Sequence, residues 1–259
     1  MSELPDVQVF RRYLESTSMH KKIKAIEAEP DILRHITRPD LERLTGMEFR
    51  FSSRYGKHLF VDLDDDHILV FHFGMTGYFS YYETEDKRPD HVKAEFHFND
   101  GHLAYVNIRK LGFVQLIKDK KRYIQAQDLG IDPLEDQLDK ETFFSLFKNK
   151  QGSLKGALMD QSMIAGLGNV YSDEICFQAG IYPGIKVNQL TDENLDTLYE
   201  KMFSVINQAI DAKAHPDNMP KSFLTANRQE DKSCPVCDGK IVKKKISGRS
   251  AYFCSKHQK

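Results

Sequence analysis

The chain has 259 residues, of which 40% are hydrophobic, and this length is sufficient for one large domain or two ordinary ones with a buried core. A charged fraction of 29% with a net charge of −1 excludes a disordered chain and lacks the basic excess of many nucleic-acid-binding proteins. No apolar run approaches the roughly 18 residues of a membrane span, and the N-terminus does not resemble a signal peptide. We therefore expect a cytoplasmic protein without a membrane partner.

The first half of the chain combines one predicted helix with six predicted strands. Val9, Phe10 and Leu14 share a face at helical spacing, which predicts a helix from Asp6 to about Thr17. From about Met47 to Ile117 the hydrophobic period changes to two, which is typical of strands. The predicted strands are Glu48–Phe51, Lys57–Leu63, His67–Phe73, Lys93–Phe98, Leu103–Asn107 and Phe113–Ile117. Short antiparallel strands of this kind favour a sandwich or a flattened barrel.

The second half of the chain is predicted to be helical after a linker that begins at Gly130. One helix is predicted from Asp139 to Lys148, two flank the segment Ala165-Gly-Leu-Gly-Asn169, and a longer one begins behind Thr191. The expected buried stripe of this last helix consists of Leu195, Leu198, Met202, Val205, Ile206 and Ile210. The glycines favour either an ordinary helix–helix turn or a helix N-terminus whose free N–H groups bind a phosphate.

The C-terminal segment carries the strongest single motif. Cys234-Pro-Val-Cys237 is followed, after sixteen residues, by Cys254-Ser-Lys-His257. This set of sulfur and nitrogen donors suits one tetrahedral Zn²⁺ ion, and four protein ligands leave no open position, as in structural sites. The fourth cysteine, Cys176, lies in a helical pattern and is expected to be a buried thiol.

The same segment is also the basic part of the chain. From Lys232 to Lys259 there are eight lysine or arginine residues against one acidic residue, Asp238. Because the whole chain carries −1, the remainder must be acidic. The distribution indicates a compact basic module attached to an acidic body. A solvated tail is the usual meaning of such a charge run, but here the cysteines fall inside it.

Three segments resemble one known family. The stretch from Leu154 to Ile175 is similar to the helix–two-turn–helix of the formamidopyrimidine-DNA glycosylase/endonuclease VIII family. Ser2-Glu-Leu-Pro-Asp-Val resembles the start of that family, and Gly248-Arg249-Ser-Ala-Tyr-Phe-Cys resembles the turn of its zinc finger. Together with the cysteine motif, these segments follow the family's order along nearly the whole chain.

The resemblance implies an α+β multidomain fold. We expect an N-terminal antiparallel β-sandwich with flanking helices over residues 1–129, and a helix–two-turn–helix domain over 130–231. A zinc-finger β-hairpin is expected over 232–259. The implied partner is damaged double-stranded DNA, bound by a monomer, and the implied cofactor is a single structural Zn²⁺ ion.

The resemblance also implies catalytic residues. Family members flip a damaged base out of the duplex, cleave its glycosidic bond and nick the abasic site through a Schiff base on the N-terminal amine. Here the amine would belong to Ser2 in place of the family's proline, once Met1 is removed. Glu3 matches the acid that moves protons, and Lys57 matches a lysine that contacts the lesion and a phosphate. Arg249 matches the finger arginine associated with the second elimination.

Further matches concern DNA contacts. Met75 corresponds to the residue that enters the gap left by the flipped base, and Arg109 to the arginine that faces the widowed base. The family's aromatic residue and aspartate nearby are replaced by Leu111 and Asn107, so base stacking is lost at the first position. The DNA-binding set is predicted to be Met75, His91, Arg109, Lys110, Leu111 and Asn169.

Three functions follow from these patterns. The leading hypothesis is a base-excision DNA glycosylase with abasic-site lyase activity. The alternative is a lesion-binding or abasic-site-binding protein in which the replacement by Ser2 has weakened or removed the chemistry. A third, favoured by the tail alone, is a zinc module that binds RNA or protein. In the formamidopyrimidine branch of the family, a loop between the last helix and the finger can cover a flipped 8-oxoguanine. The corresponding stretch here, from Pro216 to Lys232, is short and glycine-free, so the resemblance favours oxidised pyrimidines or ring-opened purines as lesions.

Overall fold

A computed structural model describes residues 2–259. Contacts divide these residues into two units. Unit 1 comprises Ser2 and Asp6–Gln127, and unit 2 comprises Glu3–Pro5 and Asp128–Lys259. Within the described residues, no helix is both long and apolar enough to cross a membrane.

Unit 1 contains most of the strands. Helix α1 (Leu4–Thr17) opens the chain, slightly earlier than predicted. Two further helices are α2 (Arg38–Leu44) and α3 (Lys120–Ala126). The strands are β1 (Ala25–Ala28), β2 (Leu33–Arg34), β3 (Phe51–Tyr55), β4 (His58–Asp62), β5 (Ile68–His72), β6 (Gly77–Tyr82), β7 (Val92–His97), β8 (His102–Asn107) and β9 (Phe113–Ile117).

These strands form two sheets. One has the order β1-β7-β8-β6 and the other β2-β9-β5-β4-β3. All neighbouring strands are antiparallel except the two-residue β2, which pairs with β9 in parallel. Phe71 of one sheet lies 5.1 Å from Phe79 and 5.8 Å from Phe96 of the other, between ring centroids. The shared aromatic core confirms the predicted sandwich.

Several elements of unit 1 were not predicted. Strands β1, β2 and β6 and helices α2 and α3 are additional, and the first predicted strand lies too early, because the chain stays extended through Arg54 and Tyr55. Strand β1 consists of alanine, isoleucine and glutamate, which gives little strand propensity. Helix α2 had a detectable signal, since Thr37 and Asp40 form a capping box.

Unit 2 is mainly helical. Its helices are α4 (Lys140–Lys148), α5 (Leu154–Leu158), α6 (Asn169–Gln178) and α7 (Asp192–Asp211), and strands β10 (Ile241–Ile246) and β11 (Arg249–Cys254) form a hairpin. The predicted apolar stripe of α7 is buried. Cys176 in α6 is fully buried, as predicted, and burial raises the pKa of its thiol.

The segment predicted as a linker is instead an ordered part of unit 2. The N–H of Gly130 donates to the carbonyl of Gln161 at 2.8 Å, and that of Ile131 to Met163 at 3.0 Å. Asp132 is fully buried, and its carboxylate accepts two backbone N–H groups of the following turn. The turn-forming residues therefore predicted an irregular backbone correctly. The hydrogen bonds show that this segment belongs to unit 2 and is not a separate linker.

Candidate active site

The Glu3 carboxylate occupies the N-terminus of helix α6. Its Oε2 accepts hydrogen bonds from the backbone N–H groups of Gly168 at 2.7 Å and Tyr171 at 3.2 Å. Its Oε1 accepts from Val170 at 2.8 Å, and the residue is fully buried. The positive end of the helix dipole and three N–H donors thus hold one carboxylate in a fixed position.

Gly168 is required at this position because the carboxylate lies directly against its backbone. A Cβ atom on Gly168 would stand 2.4 Å from Cδ of Glu3. The N–H groups of Gly168, Val170 and Tyr171 are therefore bound to Glu3 and not free for a phosphate, whereas the predicted phosphate contact of Asn169 stays a prediction. The glycine motif serves an internal carboxylate of unit 2 instead.

Ser2 belongs to unit 1 and is buried. Its backbone nitrogen donates to the carbonyl of Gly74 at 3.0 Å. Gly74 begins the turn that carries Met75. The nitrogen that would become the α-amine after removal of Met1 is therefore directed at the turn bearing a predicted DNA-probing residue. Met1 itself lies outside the described residues.

Lys57 lies in the two-residue turn between β3 and β4. The adjacent His58 is opposite His72 across the β4–β5 pair, with ring centroids 5.0 Å apart. Burial lowers the pKa of His58 to about 3 and that of His72 to about 4, and the charge of Lys57 acts in the same direction. Both imidazole rings, which lie close to the turn that carries Lys57, are therefore neutral at ordinary pH.

Met75, Arg109 and Leu111 lie on two adjoining loops of unit 1. The backbone N–H of Arg109 donates to Oγ1 of Thr76 at 3.1 Å, which ties one loop to the other. Met75 is 39% exposed and Leu111 is 50% exposed, and Ile108 beside them is also exposed. Large apolar side chains held in solvent are typical of an interaction surface.

Asn107 supports these loops from beneath. Its Nδ2 donates to the carbonyl of Phe73 at 3.1 Å and to Oη of Tyr105 at 2.9 Å. Oη of Tyr105 in turn donates to the carbonyl of His72 at 2.8 Å. The direction of this chain requires an amide donor at position 107, where the family has an aspartate.

The remaining predicted DNA contacts of unit 1 differ in their surroundings. Nζ of Lys110 lies 2.7 Å from Glu29 and 3.0 Å from Asp31, and these carboxylates raise the pKa of Lys110. His91 is exposed in a turn with φ of 60°, and its carbonyl accepts the N–H of Asn107 at 3.2 Å. A phosphate would therefore compete with two carboxylates for Lys110.

Around Asn169 the structure contains a buried ionic cluster that sequence reasoning missed. Asp173 in α6 pairs with Lys155 and accepts from Nη2 of Arg228 at 2.8 Å. It also accepts the N–H of Tyr252 in β11 at 3.1 Å. Lys155 and Arg228 both donate to the carbonyl of Asn169, at 3.2 and 3.3 Å. Helix α6 also contains Ser172 and Glu174, so Asp173 did not stand out in the sequence.

The three cysteines of the C-terminal motif come together in unit 2. Their sulfur atoms all lie within 4.8 Å of one another, and Sγ of Cys237 is 3.6 Å from Sγ of Cys254. Thiolates sharing a tetrahedral Zn²⁺ at about 2.3 Å are about 3.8 Å apart. A Cβ on Gly239 would stand 2.7 Å from Sγ of Cys254. The cradle therefore fits a zinc ion.

His257 is not part of the group formed by the three thiols. Its Nε2 lies 2.9 Å from the carbonyl oxygen of Phe177, and the two rings are 4.8 Å apart. A carbonyl only accepts, so Nε2 carries the hydrogen and Nδ1 keeps its lone pair. The adjoining C-terminal residues are ordered, since Gln258 hydrogen-bonds to the backbone of Cys254 and Ile181.

Arg249 is exposed at the first position of β11. The two-residue turn before it, Ser247-Gly248, has positive φ at both residues, which suits a tight hairpin. The neighbouring strand β10 exposes three consecutive lysines, Lys243, Lys244 and Lys245. The hairpin thus presents a cationic surface with Arg249 close to its tip.

Comparison with known proteins identifies the family. The formamidopyrimidine-DNA glycosylase N-terminal domain matches residues 1–114, and the helix–two-turn–helix domain of the same enzyme matches residues 129–219. Formamidopyrimidine-DNA glycosylase of Mycoplasma genitalium is 32% identical, with 100% of this chain and 96% of the relative covered. That of Bacillus subtilis is 31% identical, with 100% and 99% covered. The chain belongs to the formamidopyrimidine-DNA glycosylase family.

Solved structures of the family agree with this assignment. Lactococcus lactis Fpg in complex with DNA containing an abasic site has a TM-score of 0.89 and 28% identity, covering 100% of both chains. The complex of the same enzyme with FAPY-dG-containing DNA also has a TM-score of 0.89 and 28% identity, covering 99% of this chain. The predicted family, α+β fold and enzyme class, DNA glycosylase, are confirmed.

Proposed function

We propose that the protein excises an oxidised base from double-stranded DNA and then cleaves the abasic site, using the N-terminal amine as nucleophile. The observation that supports this most is the buried Glu3 carboxylate, held by three N–H groups one residue after the presumed nucleophile. A solvated terminal glutamate would need no such binding site. The relatives solved with abasic-site and FAPY-dG-containing DNA support the substrate class.

The proposed nucleophile is the α-amine of Ser2. After removal of Met1 this amine would be primary, with a reference pKa of about 7.7–8.0, so a useful neutral fraction exists at physiological pH. It attacks C1′ of the deoxyribose as the glycosidic bond breaks, and one proton of the amine passes to the departing base. The C1′–O4′ bond then opens with protonation of O4′, and the nitrogen loses its remaining proton to give a neutral imine. The hydrogen bond that the Ser2 nitrogen donates to the carbonyl of Gly74 would orient the lone pair of the amine.

Glu3 and Lys57 are proposed to complete the chemistry. The Glu3 carboxylate would move protons to and from the sugar during ring opening and elimination, which general acid–base groups commonly accelerate by about 10²–10⁴-fold. Lys57 would contact the lesion and a neighbouring phosphate from its hairpin turn. The neighbouring His58 and His72 are neutral and add no positive charge of their own. Arg249 would assist the second elimination.

DNA recognition is proposed to use both units. In unit 1, Met75 and Leu111 would fill the gap left by the flipped base while Arg109 faces the widowed base. His91 and Lys110 would contact the backbone. In unit 2, Asn169 would bind a phosphate. The exposure of Met75 and Leu111 and the cationic hairpin support this arrangement.

The zinc-finger proposal names Cys234, Cys237, Cys254 and His257 as ligands of one Zn²⁺ ion. His257 would bind through Nδ1, with its Nε2–H donated to the carbonyl of Phe177 as the supporting contact. When bound, the ion supplies folding energy to the hairpin and no chemistry to the reaction. The division at 129/130 and 231/232, the monomeric state and the cytoplasmic location stay predictions.

The test is base excision from a duplex with one site-specific formamidopyrimidine lesion, followed by strand nicking without added alkali. Protein whose N-terminus is shown by mass to be Ser2 should do both. The matched control is the same chain with a non-cleavable N-terminal extension, which should bind the duplex and leave it intact. Tight binding by the processed protein without excision would contradict the proposal and favour a lesion-binding protein.

A further inference from the structure

A cluster of metal-ligand side chains lies in unit 1 apart from the residues assigned above. Ala94 and Phe96 of β7 point into the sandwich core, so Glu95 and His97 lie on the opposite face of the sheet. On the neighbouring strand β1, Glu27 is directly opposite Glu95. The next strand, β8, places His102 directly opposite His97. Two carboxylates and two imidazoles thus share one patch.

The donor atoms of this patch converge. Nε2 of His97 lies 3.6 Å from Oε2 of Glu95 and 3.8 Å from Oε1 of Glu27. One donor atom from each of the three residues lies within 4.8 Å of the other two. Nε2 of His97 is shielded from solvent and makes no hydrogen bond, although a buried nitrogen of this kind normally has a partner.

Supporting contacts fix the other atoms of the same side chains. Nδ1 of His97 lies 2.7 Å from Nδ1 of His102, so one hydrogen is shared between the two rings. When His97 donates it, Nε2 is left with a lone pair directed at the carboxylates. Oε1 of Glu95 accepts from Oη of Tyr82 at 2.5 Å and from Nε of Arg88 at 3.3 Å, which leaves Oε2 facing His97.

We propose that Glu27, Glu95 and His97 bind a divalent transition-metal cation of the Zn²⁺, Co²⁺ or Ni²⁺ type. Arg88 pairs with Oε1 of Glu95, and a cation bound at Oε2 would offset the repulsion between two carboxylates that lie directly opposite each other. A mixed set of imidazole and carboxylate donors suits these metals better than Mg²⁺ or Ca²⁺, which prefer oxygen ligands alone. His102 is then the outer partner that orients the imidazole ligand.

The spacing requires only a small adjustment to hold an ion. Ligands at about 2.0–2.1 Å from a tetrahedral ion are about 3.3 Å apart, slightly closer than the separations measured here. Glu95 and His97 are largely buried, whereas the side chain of Glu27 is 73% exposed. Glu27 is therefore the ligand that moves, and solvent completes the coordination.

The experiment is a Co²⁺ titration of tag-free protein that retains its full zinc complement by metal analysis. We expect one additional Co²⁺ per chain, with visible bands but without the intense thiolate-to-cobalt absorption that a finger site would give. Glu27→Gln and His97→Ala should each abolish this uptake, and His102→Leu should weaken it roughly 10–100-fold. Saturating Co²⁺ should raise the melting temperature of the unmodified protein but not that of Glu27→Gln or His97→Ala.

A matched control is His215→Ala, which removes an exposed histidine beside Asp217 elsewhere in the chain and should leave Co²⁺ uptake unchanged. Glu27→Gln alters an exposed side chain, so the fold is retained even if His97→Ala is destabilised. No additional Co²⁺ in the unmodified protein would overturn the proposal. Undiminished uptake by Glu27→Gln, or uptake showing the thiolate band with loss of zinc, would overturn it as well.

Discussion

The carboxylate of Glu3 is held differently from the side chains of the two loops of unit 1 that carry Met75, Arg109 and Leu111, which we call the probing loops. Glu3 is fully buried, and backbone N–H donors of α6 fix both of its oxygens. Met75 and Leu111 are exposed apolar side chains at loop positions. A group that moves protons needs a fixed position, whereas a side chain that enters a gap in DNA needs freedom and reach.

The departures from the family pattern fall at both exposed and buried positions. Glu3 and the glycine that accommodates it match the family, and Gly168 has no room for a Cβ. Leu111 replaces an aromatic residue at an exposed position, where any apolar side chain fits. Asn107 lies between these extremes, because it is buried but its hydrogen bonds require a donor. Burial alone therefore does not prevent substitution, since Ser2 and Asn107 are both buried and both replace family residues.

The largest expected effect comes from Glu3→Gln. An amide places an NH2 group against backbone N–H donors, so one of the three hydrogen bonds becomes a repulsion. We expect single-turnover excision to fall by about 10²–10⁴-fold, with little change in affinity for abasic-site duplex. Glu141→Gln, at an exposed position of α4, is the control and should keep the full rate. Excision by Glu3→Gln at the unmodified rate would remove the distinction between the two regions.

Asn107→Asp tests the support of the probing loops. An ionised carboxylate has no hydrogen to donate to Phe73 or Tyr105, and we expect a loss of about 1–3 kcal/mol in unfolding free energy at neutral pH. Burial should raise the pKa of this new carboxyl above its unfolded value of about 3.9. Its protonated form donates, so the deficit should be small at low pH and grow as pH rises through the raised pKa.

Urea unfolding of Asn107→Asp at about pH 5 and about pH 8 checks this pH dependence. The control is Asn99→Asp in an exposed turn. The difference in unfolding free energy between this variant and the unmodified protein should not depend on pH in this range. If Asn107→Asp lowers the unfolding free energy by the same amount at both pH values, the hydrogen bonds that Asn107 donates are unimportant for stability.

A smaller effect is expected from the buried histidines beneath Lys57. Their pKa values of about 3 and about 4 lie below the unfolded value of about 6.5, so they stabilise the fold above that pH. This stability should be lost as pH falls from about 6.5 towards 4, by about 1.4 kcal/mol per histidine between pH 7.5 and 5.5. Urea titrations of His58→Phe should show about half of this loss. If the unfolding free energy of His58→Phe falls with pH as steeply as that of the unmodified protein, other groups cause the acid sensitivity.

The smallest effect is expected from Leu111→Phe, which restores an aromatic ring to the probing loops. Stacking in the gap should strengthen binding to an abasic-site duplex by roughly 0.5–1.5 kcal/mol. Affinity for an intact duplex, which offers no gap, should not change. Fluorescence anisotropy with both duplexes measures the difference, and an equal gain on both would show that the ring contacts DNA outside the gap.

Much of the fold was predictable because its signals are local. Period-two strands, the stripe of α7 and the cysteine spacing identified the sandwich, the helical half and the metal-binding segment. Strands β1 and β2 were not predictable, since four and two residues of weak propensity form strands only against partners that are distant in sequence. Tertiary pairing, which no local pattern reports, decides such elements.

The candidate site was predictable in its residues but not in its contacts. The family resemblance named Glu3 and Gly168 separately, yet the hydrogen bond between them joins positions 165 residues apart. Likewise Asp173 and Arg228 each appear ordinary in sequence, and only the fold shows that they share a buried cluster with Lys155. Long-range polar contacts of this kind require the three-dimensional structure.

The central claim is that the amine of Ser2 performs the chemistry beside a preorganised Glu3. Its most direct test is incubation of the mass-verified protein with abasic-site duplex and borohydride, followed by peptide mapping. The account predicts a reduced covalent adduct on the nitrogen of Ser2. An adduct on a lysine side chain such as Lys57, or tight binding without any adduct, would contradict it.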